Sequence, residues 1–306
     1  EVILPPLSFV ATANAIAHLG AIPHFVDIES KTLGLDAIAL DKRLQEIGEI
    51  KKGKLINKKT GRRISAVIAV HVYGHPANTN KIINITNKWN LPLVEDAAEA
   101  LGSWRESLSC KVHCGLFGSI GTFSFNGNKL ITTGGGGALI TNCNEIAKKA
   151  KHLSTTAKIK HPWNFYHDYV GWNDRLPNIN AALGVAQIEI LDEILLRKRE
   201  LINNYIEVFK NINEIEIIQE PQGCKSNYWL ATLRFNAKDP SKANYERNKL
   251  LKASHSKGLY LRPVWNLLSE LPMYQHMPCG SLKIAQDQVC RLINLPTSPN
   301  LSNKFP

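Results

Sequence analysis

Residues 123–141 read FSFNGNKLITTGGGGALIT and set one lysine, Lys129, between an aromatic run and four glycines. A lysine amine attacks carbonyls when its site lowers its pKa. A solitary lysine is ordinarily a solvated surface group, so its partners decide. Asp96 ends the apolar run LPLVED. Ligands of open α/β sheets lie beyond the carboxyl ends of strands. An acid there can face a cationic ring nitrogen, and pyridoxal phosphate needs such a partner. Asp96 would serve equally as the N-cap of a helix over AAEAL. Ser124, five residues before Lys129, offers its hydroxyl to a phosphate or to the backbone.

Two better-known glycine-rich sites fail on spacing. A P-loop places Ser or Thr after its lysine, and here Leu130 follows Lys129. A dinucleotide fingerprint opens a helix, whereas Gly134 to Gly137 precede the strand-like ALIT. LIT and ALIT read as arms of a glycine hairpin beside Lys129. A two-residue turn needs fewer glycines. Another backbone or a cofactor is therefore expected to approach them closely.

The elements that must position these groups alternate in type. ATANAIAHLG reads as a helix ended by Gly20, IPHFVDI as a strand, and VIAV as a buried strand. A helix over ANTNKIINITNKWN and a strand at LPLVED follow. This β–α order predicts an α/β fold with a mostly parallel sheet. From Asn178 one long helix is expected through to YIEVF, weakened only by Gly184. Strands at EIEIIQ, NYWLATLRF and LYLRPVW, with helices around 241–257 and 282–293, predict a smaller α+β domain. The expected division is 1–205 and 206–306. The chain opens without Met inside the strand-like EVILPP, so a preceding segment is expected.

Composition is that of a globular protein, with 44% hydrophobic and 21% charged residues. No apolar run suits a membrane span. Six cysteines without a CxxC pair read as reduced thiols, which predicts a cytoplasmic protein. Cys110, His113 and Cys114 lack a second pair at metal spacing, so no metal is expected. Of the net charge of +11, seven Lys or Arg fall in KKGKLINKKTGRR. That segment reads as a solvated basic loop or hairpin. It could also attract an anionic substrate. A nucleic-acid role would rest on charge alone, without a binding motif, and is not expected.

VEDAAEALGS, FSFNGNKLITTGGGGALIT and GWNDRLPNINAALGVAQIEILD, in this order, resemble the DegT/DnrJ/EryC1/StrS family. These are pyridoxal-phosphate sugar aminotransferases of fold type I, the aspartate-aminotransferase fold. The likeness extends over nearly the whole chain. FNGNK, TTGGGG and RPVW most resemble the subgroup that makes 4-amino sugars for legionaminic-acid-type nonulosonates. The resemblance implies that Lys129 is the Schiff-base lysine, Asp96 the partner of the pyridine nitrogen and Ser124 a phosphate ligand. It implies that Phe9 stacks on the cofactor ring. Asn173 would reach the phosphate in the neighbouring subunit, with Arg175 nearby on the substrate side, which makes a homodimer part of the site. Glu99 stands where many relatives carry Gln or His beside the phenolic oxygen. Trp265, in RPVW, stands where many carry a substrate-side histidine, and reads equally as a core residue. The family also has an earlier segment with a phosphate-binding loop. The implied reaction moves an amino group from glutamate to a nucleotide-linked 4-keto-6-deoxy sugar. Amination of a free eight-carbon keto sugar is an alternative. A sugar dehydratase would replace the lysine with histidine. A catalytically silent regulator would not need lysine, aspartate and serine together.

Overall fold

The run AVIAV lacks alternation because both of its faces are covered, and it forms an inner strand of a six-stranded sheet. The computed structural model describes residues 1–108 and 110–304. The sheet comprises β1 (Val2–Leu4), β2 (Pro23–Phe25), β3 (Ala66–Val70), β4 (Leu93–Asp96), β5 (Ile120–Ser124) and β6 (Gly137–Ile140). Their spatial order is β6-β5-β4-β3-β1-β2. All neighbours are parallel except β5 and β6. Helices α1 (Ala11–His18), α2 (Ala37–Ile47) and α3 (Thr79–Lys88) make the crossovers. Asp36 caps α2 by accepting from the Ile38 amide. Ile3, Val67 and Leu93 of the sheet pack with Leu40 and Leu44 of α2 and Ile82 of α3.

Beyond β6 come α4 (Asn144–Ser154), α5 (Asn178–Glu189) and α6 (Leu191–Phe209). A second, antiparallel sheet follows. It contains β7 (Ile215–Ile217), β8 (Ala231–Phe235), β9 (Arg262–Pro263) and β10 (Leu292–Leu295), in the order β7-β8-β10-β9. Helices α7 (Pro240–Ser256) and α8 (Lys283–Arg291) pack on it. One buried cluster joins the two sheets: Leu7, Val70 and Tyr73 meet Ile218, Trp229, Val264 and Leu292. Helix α6 is continuous across residues 205 and 206.

Three expectations change. The long helix divides at Ile190, whose ψ of 10° leaves the helical range. Asp192 and Glu193 then open α6, where the helix dipole favours acids. Gly184 does not weaken α5. A Cβ there would lie 2.9 Å from Thr133, so this glycine permits close packing. The hairpin partner of ALIT is β5, not LIT. The loop 125–136 is pinched by Phe125 N donating to Gly136 O and Thr133 N donating to Phe125 O.

The glycine run answers to backbone geometry. Gly134 and Gly136 have φ of +76° and +107°, and a Cβ on Gly136 would lie 2.8 Å from Leu176. At Gly137 a Cβ would strike the Phe123 carbonyl oxygen. A Cβ on Gly135 would meet nothing within 4 Å. The close neighbour is thus the backbone of β5 at Gly137 and the Leu176 side chain at Gly136.

The basic segment forms a hairpin, Gly48–Lys51 with Lys54–Asn57. Asn57 and Thr60 bond the Glu1 carboxylate just ahead of β1. The cluster therefore lies at the end of the sheet opposite Asp96 and Ser124, away from any site at the carboxyl ends. Among the described residues no helix is long and apolar enough to cross a membrane.

Gly137→Ala should lower stability by about 1–3 kcal/mol through overpacking. Gly135→Ala should stay within about 0.5 kcal/mol of the parent. Denaturant midpoints compare them, and equal midpoints would contradict the backbone account.

Candidate active site

Because β1, β3, β4 and β5 are parallel, the residues following them converge at one edge. Asp96 is the last residue of β4 and sits beside Val70 and Thr122 in the ladder. Ser124 ends β5, and Phe9 precedes α1 after β1. Lys129 reaches the same place from the β5–β6 loop. These four, with Glu99, Thr12, Trp229 and Trp265, line one cavity of about 230 Å³.

Asp96 is held by its neighbours. Thr12 Oγ1 donates to Asp96 Oδ2 at 2.6 Å, and Ser8 bonds Thr12 in turn at 2.7 Å. Asp96 Oδ1 accepts from Ala98 N at 3.2 Å. No helix follows, so this is an Asx-type turn and not a helix cap. Asp96 and Thr12 both line the cavity.

Lys129 lies between two groups. Its Nζ is 3.5 Å from Glu99 Oε1 and 4.2 Å from the centroid of the Trp229 ring. Both charged side chains are largely buried, at 10% and 6% exposure. Burial pushes the Glu99 carboxyl up to about 7, and the Lys129 ammonium and the Tyr73 amide offset this only in part. Glu99 Oε2 accepts from Tyr73 N at 2.8 Å. Tyr73 adopts φ of +56°, a conformation that costs energy in a bulky residue and that turns its amide toward Glu99.

An aromatic wall closes the cavity. Trp265 lies 4.8 Å from Tyr73, 6.2 Å from Phe9 and 6.5 Å from Trp229, centroid to centroid. It is half-buried, packing on the inter-sheet core while one side lines the cavity. Ser124 lines the cavity, and its hydroxyl accepts only a long 3.4 Å bond from Asn126 N. Asn173 and Arg175 lie elsewhere on this chain. They are exposed and bonded to each other, Arg175 Nη2 donating to Asn173 Oδ1 at 2.9 Å. His113 uses both ring nitrogens, toward Gly102 N and Cys114 O. Among the described residues no His, Cys, Asp and Glu group is placed for a metal.

Thr12, Tyr73 and Trp229 escaped the sequence reading. The pair Ser8 and Thr12, hydroxyls four apart at a helix start, was the available signal for the first. Tyr73 and Trp229 sat in segments read only as strands. Their roles depend on the join between the two sheets, which no local pattern records.

The residues fit pyridoxal phosphate by donor type: an amine for its aldehyde, an acid for its ring nitrogen, an aromatic face and a hydroxyl for its phosphate. Fold and site together define a pyridoxal-phosphate-dependent transferase of fold type I. The chain belongs to the DegT/DnrJ/EryC1/StrS aminotransferase family, whose model matches residues 1–305. It is thus a pyridoxal-phosphate-dependent sugar aminotransferase. GDP-perosamine synthase of Escherichia coli O157:H7 is 34% identical over 305 residues, covering 99% of this chain and 75% of that protein. The putative pyridoxal phosphate-dependent aminotransferase EpsN of Bacillus subtilis is 33% identical, covering 96% and 72%. Among solved structures, Helicobacter pylori PseC, an aminotransferase of pseudoaminic acid biosynthesis, superposes with a TM-score of 0.85 at 26% identity. That match covers 100% of this chain and 77% of PseC.

A raised carboxyl pKa means that the native state keeps a proton the unfolded chain releases. The cost is absent below the unfolded value of 4.5, grows as pH rises to about 7, and is constant above it. It amounts to about 3 kcal/mol at full extent. Glu99→Gln should remove that pH dependence of the unfolding midpoint in cofactor-free protein. An unchanged profile between pH 4.5 and 7 would show that Glu99 is already ionised.

Proposed function

We propose that this aminotransferase takes its amino group from glutamate and delivers it to C4 of a nucleotide-linked 4-keto-6-deoxy sugar. The observation that carries the reading is the shared cavity of Lys129, Asp96, Ser124 and the aromatic wall. Pyridoxal phosphate, when bound, supplies the electron sink that makes the donor's Cα proton acidic. Lys129 and Ser124 would hold its aldehyde and phosphate ends, Phe9 its ring, and Asp96 its ring nitrogen. Lys129 Nζ, when not engaged with the aldehyde, would serve as the base for the donor's Cα proton. Glu99, beside that amine, is the nearest group with which Lys129 can share a proton. Glutamate leaves as its keto acid, and the sugar's carbonyl carbon receives the nitrogen.

The substrate class is supported by the name GDP-perosamine synthase carried by a relative of 34% identity. Within the family we favour the legionaminic-acid-type subgroup, on FNGNK, TTGGGG and RPVW. An indole at position 265 offers a flat apolar wall to a sugar face or a 6-deoxy methyl group, and no charge for a phosphate. The working enzyme is proposed to be a cytoplasmic homodimer. Support for the dimer comes from the exposed apolar side chains around Asn173. Trp163, Tyr169, Val170 and Ile179 are 65–91% exposed. Such a patch marks an interface. A second copy seated there would bring Asn173 and Arg175 to its own cavity.

A panel of nucleotide-linked keto sugars, assayed with glutamate, should give the amino sugar and 2-oxoglutarate from a 4-keto-6-deoxy member. Turnover confined to a free eight-carbon keto sugar would contradict the substrate assignment. Mixing inactive Lys129→Ala with an inactive Asn173→Ala protein should restore part of the activity through hybrid dimers. Demonstrated subunit exchange without recovery would contradict shared sites.

A further inference from the structure

Lys198 of α6 is buried, at 4% exposure. Among the described residues no carboxylate pairs with it. Its Nζ donates to two backbone carbonyls, Thr297 O at 2.8 Å and Trp229 O at 3.1 Å. Burial alone pushes the ammonium down to about 7. An apolar side chain of similar length would avoid that desolvation. The amine must therefore do something that packing cannot.

What it does is visible one residue further. Trp229 has its indole N–H on Asn128 O at 2.8 Å and its ring face 4.2 Å from Lys129 Nζ. A second cavity of about 260 Å³ lies between the two lysines, lined by Gly127, Asn128, Lys129, Lys198, Trp229 and Thr297 among others. On that side neither Lys129 nor Trp229 is wedged by close packing. Trp229 packs on Tyr73 and Trp265 on its other side; across the gap its placement is completed by hydrogen bonds, Lys198 holding the Trp229 carbonyl and Trp229 holding the Asn128 carbonyl.

We infer that Lys198 is a positioning residue for Lys129, acting through Trp229: it fixes the indole face against the reactive amine. The inference rests on the reading of Lys129 as the amine that carries the cofactor. Trp229 favours the protonated nitrogen at Lys129 by a cation–π contact. Loosening Trp229 should therefore lower the pH at which that nitrogen loses its proton.

The test is a pH titration of the visible absorbance of the full-length, cofactor-loaded protein. Lys198→Met should lower the midpoint by about half to one pH unit, the size of one cation–π contact. Trp229→Phe should lower it similarly, and the double variant no further than the larger single effect. A purely structural staple would change unfolding without moving the midpoint, and that result overturns the inference, as would additive shifts. Should Lys198→Met fail to fold, Lys198→Arg decides. It keeps donors for both carbonyls in a new geometry. A moved midpoint at unchanged stability supports the inference, and an unmoved one overturns it. A visible band that persists in Lys129→Met would instead fail the reading of Lys129 itself. A band that needs Lys129 yet ignores Lys198 overturns only the present inference.

Discussion

Lys129 holds its side-chain nitrogen between a carboxyl at 3.5 Å and an indole face at 4.2 Å, with the lysine and glutamate side chains both largely buried. On a surface such contacts would be worth well under a kilocalorie to about one. Burial changes their character, because each charged form is then costly without the other. The raised Glu99 carboxyl is the sign of that cost. Its partner amine lies 3.5 Å away, beside the same cavity. The remaining structure serves to keep these groups in place. Asn227 ties both sides together: its Oδ1 accepts from Trp229 N, and its Nδ2 donates to the backbone carbonyls of Glu99 and Leu101.

The central sheet supplies the frame. Parallel strands deliver Asp96, Ser124 and the start of α1 to one edge, and the antiparallel β5–β6 hairpin carries the lysine loop back over it. The second sheet contributes Trp229 and Trp265 through the buried cluster it shares with the first. The site is thus built at a join, which explains why Trp229 and Trp265 of its wall lie more than a hundred positions from Asp96 in the chain.

The local parts of this arrangement were legible in the sequence. Unbroken apolarity marked β3, and the acid at the end of LPLVED marked the position of Asp96. The ordered motifs marked the family and, through it, the lysine. What could not be read depends on distant contacts. Trp229 was an unremarked letter in a strand because its ring meets Lys129 only after the sheets dock. The division at Ile190 lacks a glycine or proline, and Gly184 misled because its missing side chain makes room for Thr133. The glycine run suggested close approach by another backbone or a cofactor, and at Gly137 it is the backbone of β5 that comes close.

The central claim is that one amine, Lys129, carries the cofactor. Reduction of full-length, cofactor-loaded protein with borohydride, followed by digestion and mass spectrometry, tests it directly. The account predicts a pyridoxyl-phosphate adduct on the peptide containing FNGNK, at Lys129. An adduct on Lys198 or any other lysine, with Lys129 unmodified, would contradict it.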